Sequence, residues 1–404
     1  MATCRGIGVR RRLLVTLSIV AWAVPAAGSA PSASAEATCS FEPGDGILSA
    51  TVVSVGTVSV SGSVIEVDGT PCLSPDGAMA MTSDTDAIVV MGSVGDDLLR
   101  IDLSGGGFGA IAWAVDLGDG TDILAVRGTD ERDPLTVGSA GLSFGGSGGS
   151  HAGVEAFVLR GLAGNDVLSA AGGTEQTGGL VSGPVAIVGG PGNDRMHGGL
   201  GGDVFRGGPG SDLVTYLAHD TAITATLDGT PNDGVAGEDS IRRDVENLMG
   251  GLGDDRLVGN AASNRLAGAP GSDVLEGGGG RDRLRGEQDD DRLDGGAGDD
   301  LLRGGFGADQ LEGGEGNDTL DGGGHPDTLR GGPGDDTLMA RDGWIETVSG
   351  GTGWDTAQVD DDDVVSGCED VQRILAAQPH MGVYWLRPGR VPSRGSGPRS
   401  PDAS

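Results

Sequence analysis

Between Gly250 and Met339 an oxygen-bearing side chain returns every nine residues: Asp255, Asn264, Asp273, Asp282, Asp291, Asp300, Asp309, Asp318, Asp327 and Asp336. Each is the sixth residue of a phrase that opens on Gly and carries Leu at the eighth place, as in GGEGNDTLD GGGHPDTLR GGPGDDTLM from Gly313 to Met339. Regularly spaced carboxylates beside glycine loops have one evident chemistry, the capture of hard cations through oxygen. Carboxylates and turned-in backbone carbonyls make a flexible all-oxygen site that Ca²⁺ accepts, whereas Mg²⁺ demands tight octahedral geometry.

The elements that must position these groups follow from the two halves of the phrase. Glycines let the GGxGxD half adopt positive φ, and the x-Leu-x half is long enough for a short strand that sends Leu to one side. One such strand cannot hide its Leu, but a stack of them can, so the pattern predicts a solenoid whose coils complete one another's core. A flexible linker would have no reason to hold Leu at the eighth place of ten consecutive phrases.

With two phrases per coil, residues 18 apart share an edge. Asp255, Asp273, Asp291, Asp309 and Asp327 fall on one edge, and Asn264, Asp282, Asp300, Asp318 and Asp336 on the other. Coils about 4.8 Å apart would set neighbouring carboxylates against each other at a cost of roughly 3 kcal/mol per pair at an effective dielectric near 20. Bare columns therefore oppose folding, and a bound cation reverses the sign, which links binding to folding.

The phrase resembles the repeats-in-toxin, or haemolysin-type, calcium-binding nonapeptide GGxGxDxUx. The resemblance is strong over Gly189 to Thr215 and Gly250 to Gln358 and weaker upstream, where GSVGDDLLR, LGDGTDILA and GLAGNDVLS foreshadow it at irregular spacing. It implies an all-β, right-handed parallel β-roll with Ca²⁺ between successive turns, held by the sixth-place Asp and loop carbonyls. Carried over, Asp194, Asp203 and Asp212 in the first array, the nine Asp of the main array, and Asp355 of the resumed phrase GGTGWDTAQ are the expected metal ligands. Asp194 and Asp212 would share one site, and the whole chain would hold on the order of eight ions. Asn264 loses a charge, so its sites should be weaker. GEQDDDRLD puts Asp289, and GGGHPDTLR puts His325 and Pro326, where the loop wants glycine, so calcium should be held least well beside Asp327. His325 reads as a solvent-exposed loop residue rather than a soft-metal ligand.

The rest of the chain divides around this array. Residues 1–35 read as a signal peptide: Arg5 and Arg10 to Arg12 are basic, Leu13 to Val24 apolar, and Ala33-Ser34-Ala35 a small-residue cleavage site. Residues 36–188 are an irregular β-rich solenoid region, 189–215 a first array, and 216–249 a β insertion. The main array is 250–358, a C-terminal cap 359–375, and a disordered Pro/Arg/Ser-rich tail 376–404. The segments Gly153 to Val158 and Asp244 to Met249, which carry Val154-Glu155 and Val245-Glu246, read as strands re-entering the array, and Asp360 to Asp363 form a four-Asp run. In an oxidising compartment Cys39 and Cys72 are expected to pair, against the alternative of two separate buried thiols, with Cys368 left over.

A net charge of -34 and the absence of Lys exclude nucleic acid and anionic membranes as partners. The apolar leader run is too short for a typical membrane span, so no span is expected once the signal is removed. Gly145-Gly146-Ser147-Gly148-Gly149 with His151 matches G-x-S-x-G, but in a Gly/Ser loop rather than a strand-turn-helix. There is no H-E-x-x-H and no P-loop. The expectation is a secreted, noncatalytic, monomeric calcium-binding protein, with cell-wall or matrix components as candidate partners. Two alternatives stand beside it: a calcium-stiffened surface adhesin or matrix protein, and a β-helix polysaccharide lyase, which would cluster Asp and Arg on one face of the N-terminal solenoid.

Overall fold

The computed structural model describes residues 13–14, 38–42, 47–51 and, short stretches aside, 55–374, and the structural statements below concern those residues. The expected signal peptide, apart from Leu13–Leu14, and the expected tail lie outside them. Every regular element described is a β-strand.

The nonapeptides wind into a two-faced parallel roll. One face stacks the strands Arg265–Pro270, Arg283–Gln288, Leu301–Phe306, Thr319–Gly324 and Thr337–Ala340. The other stacks Arg256–Val258, Val274–Gly279, Arg292–Ala297, Gln310–Glu315 and Thr328–Pro333. Register is set by the repeat: Leu284 pairs with Leu302 and Leu302 with Leu320, while Leu293 pairs with Leu311 and Leu311 with Leu329, always 18 residues on. Most of these strands have six residues rather than the three expected of the x-Leu-x half. The next phrase's opening glycines stay in the ladder, with Gly296 opposite Gly314.

The ten eighth-place Leu, from Leu257 to Leu338, are all buried at 0 to 1% exposure and form the interior between the two faces. Fully burying a Leu contributes about 1.5–3 kcal/mol, and here all but Leu257, Leu329 and Leu338, which meet Ala225, Val348 and Ala357 on one side, are packed between two Leu of their own column. Leu302→Ala should lower the stability of the calcium-loaded protein by about 2–5 kcal/mol, read as a shift in the urea midpoint at unchanged slope. A Thr319→Ala change on the half-buried outer surface should cost less than about 1 kcal/mol.

Upstream, the same two-faced winding continues on longer coils. One face runs without a break from Pro134–Gly138 through Val167–Ser169, Arg195–His197, Leu213–Thr215 and Asn247–Met249 into Arg265–Pro270. The opposite face changes hands. A sheet containing Leu98–Asp102, Ile123–Arg127, Ala156–Arg160, Val185–Val188 and Val204–Arg206 ends at a hairpin of Pro231–Asp233 with Asp239–Ile241. A new sheet then starts at Thr224–Thr226, paired with Arg256–Val258. Tyr216 fills this junction: it is fully buried, packs edge-on against Phe205, and donates its hydroxyl to Asp239 Oδ2 at 2.9 Å.

Cys72 is disulfide-bonded and buried, which removes the reading of Cys39 and Cys72 as separate thiols. The Cys39 side chain is outside the described residues, and Cys368 is a free thiol.

Candidate metal sites along the roll edges

Each sixth-place side chain stands at the corner where a loop enters a strand, and the corners stack. On one edge the backbone N–H of Asp255 donates to Asp273 Oδ1, and this repeats from Asp273 to Asp291, Asp291 to Asp309 and Asp309 to Asp327, at 2.8 to 2.9 Å. On the other edge Asn264 donates to Asp282, Asp282 to Asp300, Asp300 to Asp318, Asp318 to Asp336 and Asp336 to Asp355, at 2.7 to 2.9 Å. One carboxylate oxygen of each Asp thus replaces the main-chain acceptor that a turning corner would otherwise lack.

The second oxygen is left over. Oδ2 of Asp273, Asp282, Asp291, Asp300, Asp309, Asp318, Asp336 and Asp355 is buried and accepts no hydrogen bond, and the same holds upstream for Asp122, Asp166, Asp194 and Asp212. An orphaned buried carboxylate oxygen costs far more than a lost hydrogen bond unless a cation or proton meets it. Burial, and after it the neighbouring column carboxylates, pushes these groups up: Asp273 and Asp318 to about 7 and Asp291 to about 8, against a lowering pull from the backbone N–H. Burial likewise lifts Asp282 and Asp309 to about 6 and Asp327 to about 7.

The glycines define what surrounds that oxygen. A Cβ on the phrase-opening Gly295 would lie 2.5 Å from the Gly313 carbonyl oxygen of the next coil and 2.6 Å from Asp300 Oδ2. The first glycine is therefore required because a carboxylate and a carbonyl oxygen converge where a side chain would be. The second and fourth have another reason. Gly314 and Gly316 have φ of 108° and 133°, and a Cβ on either would strike the carbonyl of the glycine one coil earlier. The same loop positions are forced to positive φ where glycine is missing, at Ala269, Glu287, Asp289 and His325. His325 is exposed and stacks on Trp344 with ring centroids 5.5 Å apart, as befits a loop residue.

Two expected ligands use both oxygens within the protein. Asp203 and Asp255 use their second oxygen on the N–H of Gly199 and Gly251 within their own loops, and Asn264 Oδ1 likewise accepts from Asn260 at 2.8 Å. In these loops the preceding strand stops at His197, Met249 or Val258, so the second-place N–H is not drawn into strand pairing and is free to turn back. Their carboxylates are satisfied by the protein, so they have least need of an ion. Asp203 also pairs onward to Asp239 Oδ1, 36 residues away, rather than to another nonapeptide Asp.

Several column members escaped the sequence reading. Glu155, Glu246 and Glu369 each accept the N–H of the column Asp one coil earlier, Asp122, Asp212 and Asp355, at 2.7 to 2.9 Å. Their signal is an acid immediately before a strand, visible in the Val-Glu segments already singled out. Upstream, Asp97 donates to Asp122, and Asp133, Asp166 and Asp194 form one run into Asp212. The fifth place carries a weaker ladder of the opposite sense: Asn317 N–H donates to Asp299 and Asp335 N–H to Asn317.

Among the described residues no three His, Cys, Asp or Glu side chains form a ready-made metal cluster. A cation on these edges would be held by one or two carboxylates together with loop carbonyls, a donor set suited to Ca²⁺. Ser147 lies in the strand Ser147–Ala152, part of an antiparallel hairpin with Gly141–Phe144, and His151 Nε2 is 2.6 Å from the Gly138 carbonyl oxygen. This is not the strand-turn-helix that a G-x-S-x-G nucleophile requires.

With this geometry in place, comparison with known families finds a match, confined to parts of the chain. The model of the RTX calcium-binding nonapeptide repeat matches residues 158–176, 186–214, 244–275, 268–302, 276–311 and 303–338. The chain carries RTX calcium-binding repeats folded as a parallel β-roll, and repeats of this kind bind Ca²⁺. A search of curated proteins returns no match.

Proposed function

We propose that this chain is a secreted, noncatalytic calcium-binding β-roll that converts extracellular calcium into a folded rod. The observation that carries this reading is the row of buried, unpartnered Oδ2 atoms beside glycine cradles, repeated coil after coil. Asp273, Asp282, Asp291, Asp300, Asp309, Asp318, Asp336 and Asp355 would be the principal ligands, with Asp194 and Asp212 in the first array. Asp327, beside the irregular His325 loop, and Asp203 and Asp255, already hydrogen-bonded twice, would contribute least. When bound, the ion supplies positive charge between stacked carboxylates. The chain itself supplies the corner geometry, the exclusion of water and the apolar interior that makes the coil worth closing.

Secretion is supported by the basic, apolar and small-residue order at the N-terminus, and by Cys72 being disulfide-bonded, as suits an oxidising compartment. No helix among the described residues is long and apolar enough to cross a membrane. The Cys39–Cys72 pairing and a monomeric state belong to the same proposal, as do the domain limits given above. Calorimetric calcium titration of the chelated mature chain tests it directly. Asp300→Ala should lower the number of bound ions, with Asp282 and Asp318 left as interrupted neighbours, and an unchanged stoichiometry would remove the column assignment.

A further inference from the structure

The four-Asp run and the loop Arg341–Glu346 lie beyond the last matched repeat, and the nonapeptide scheme gives neither a role. Here the period slips: Thr328 pairs with Thr347, 19 residues on, and Thr347 with Val364, 17 residues on. The slip places Glu346 at the corner stacked on Asp327, and Asp363 at the corner stacked on Glu346.

The ladder continues only in part. Glu346 N–H donates to Asp363 Oδ1 at 3.1 Å. Its own carboxylate, however, accepts nothing: at 1% exposure, both Oε1 and Oε2 are buried without a hydrogen-bond donor. Most column Asp have one orphaned oxygen, whereas Glu346 has two.

The groups around it are anchored. Asp363 Oδ2 accepts the Asp360 N–H at 2.7 Å, and Asp360 Oδ2 accepts the Gly343 N–H at 2.8 Å. Asp342 accepts the N–H of His325 and of Trp344, at 2.8 and 2.9 Å. The nearby guanidinium groups point elsewhere: Arg373 donates to the carbonyls of Asp360, Asp361 and Asp363, and Arg341 to that of Gln372. Glu346 is a buried carboxylate on which Asp363 and Asp342 act directly, while the guanidinium groups of Arg341 and Arg373 are taken up by main-chain carbonyls.

We propose that Glu346, flanked by Asp363 and Asp342, is a further calcium site of different make from the nonapeptide sites, one that fastens the off-period loop to the last coil. These side chains do not close a cage by themselves, so main-chain or solvent oxygens complete the shell, as Ca²⁺ readily accepts. The competing occupant is a proton: burial first, then Asp363 and Asp342, push the Glu346 carboxyl up to about 10. A proton neutralises one charge and leaves the flanking carboxylates opposed, while a divalent ion engages both.

The inference rests on the array reading only for the identity of the ion, and Glu346→Gln separates the two. Gln has the shape of the protonated acid, so the variant should fold, and its calcium count by calorimetry should fall by one while the β signal of the array keeps its calcium response. Terbium offers a second reading, because Trp344 lies two residues from Glu346. In a Trp354→Phe background, sensitised emission should drop with Glu346→Gln and also with Trp344→Phe. Unchanged stoichiometry and emission in Glu346→Gln would overturn the site and leave Glu346 a protonated core acid. Failure of the array reading would appear instead in Asp300→Ala.

Discussion

Chelating calcium from the mature protein should abolish most of its β circular dichroism, and millimolar Ca²⁺ should restore it cooperatively while the same concentration of Mg²⁺ does not. Along each edge, like-charged carboxylates recur on successive coils, most of them with one oxygen left unpartnered in a buried corner. At roughly 3 kcal/mol per neighbouring pair in the absence of a counter-charge, the repulsion along the two columns rivals the 5–15 kcal/mol net stability typical of a domain. Bound ions reverse that term, and since the unfolded chain has no preformed site, their binding free energy is folding free energy. Mg²⁺ cannot substitute, because the corner offers few carboxylates and several carbonyls at adaptable positions rather than a tight octahedron. Identical spectra with chelator and with calcium would remove the coupling.

The pH response of the ion-free protein should run opposite to that of the calcium-loaded one. Burial raises the column Asp from an ordinary value near 4 to about 6 for Asp282 and Asp309, about 7 for Asp273 and Asp318, and about 8 for Asp291. An acid whose folded value exceeds its unfolded one holds its proton more tightly when folded. Its stabilising contribution is complete below the unfolded value, and is lost as pH rises through the folded value. Without calcium the fold should be most stable at about pH 4 and weaken progressively from there to about pH 8. Calcium competes with those protons, so its affinity rises over the same interval, and the loaded protein should melt higher at pH 8 than at pH 5. Thermal melts at the two pH values, with chelator and with calcium, should show this crossing. A chelated protein whose Tm is the same at both would contradict it.

How far the sequence reveals this molecule depends on which interactions repeat. Asp273, Asp291 and Asp309 could be assigned to one edge because both columns and the Leu interior follow from a single 18-residue period, and the all-β parallel roll follows from them. The three-residue strand estimate was too short, since glycine pairs read as pure loop in fact continue the parallel ladder, as at Gly296 and Gly314. Glu155, Glu246 and Glu369 were hidden for a different reason. They join the columns at offsets of 33, 34 and 14 residues, which no nine-residue template searches, and their longer side chains compensate for a displaced corner. The second hydrogen bonds of Asp203 and Asp255 were equally out of reach, because they depend on where the preceding strand ends, at His197 and Met249, rather than on the phrase itself.

The alternation of the phrases between two faces gives the roll a rotational phase. Adding or removing 18 residues lengthens or shortens it by about 4.8 Å and leaves both ends facing as before. A change of nine also turns everything beyond it by half a revolution, exchanging the face that begins at Thr224 with the one that runs unbroken from Pro134. The junction around Tyr216 and the slipped loop at Glu346 sit at the two ends of the uniform stretch, so the number of phrases between them sets their relative azimuth. Repeat number in this protein is therefore a setting of orientation as much as of length.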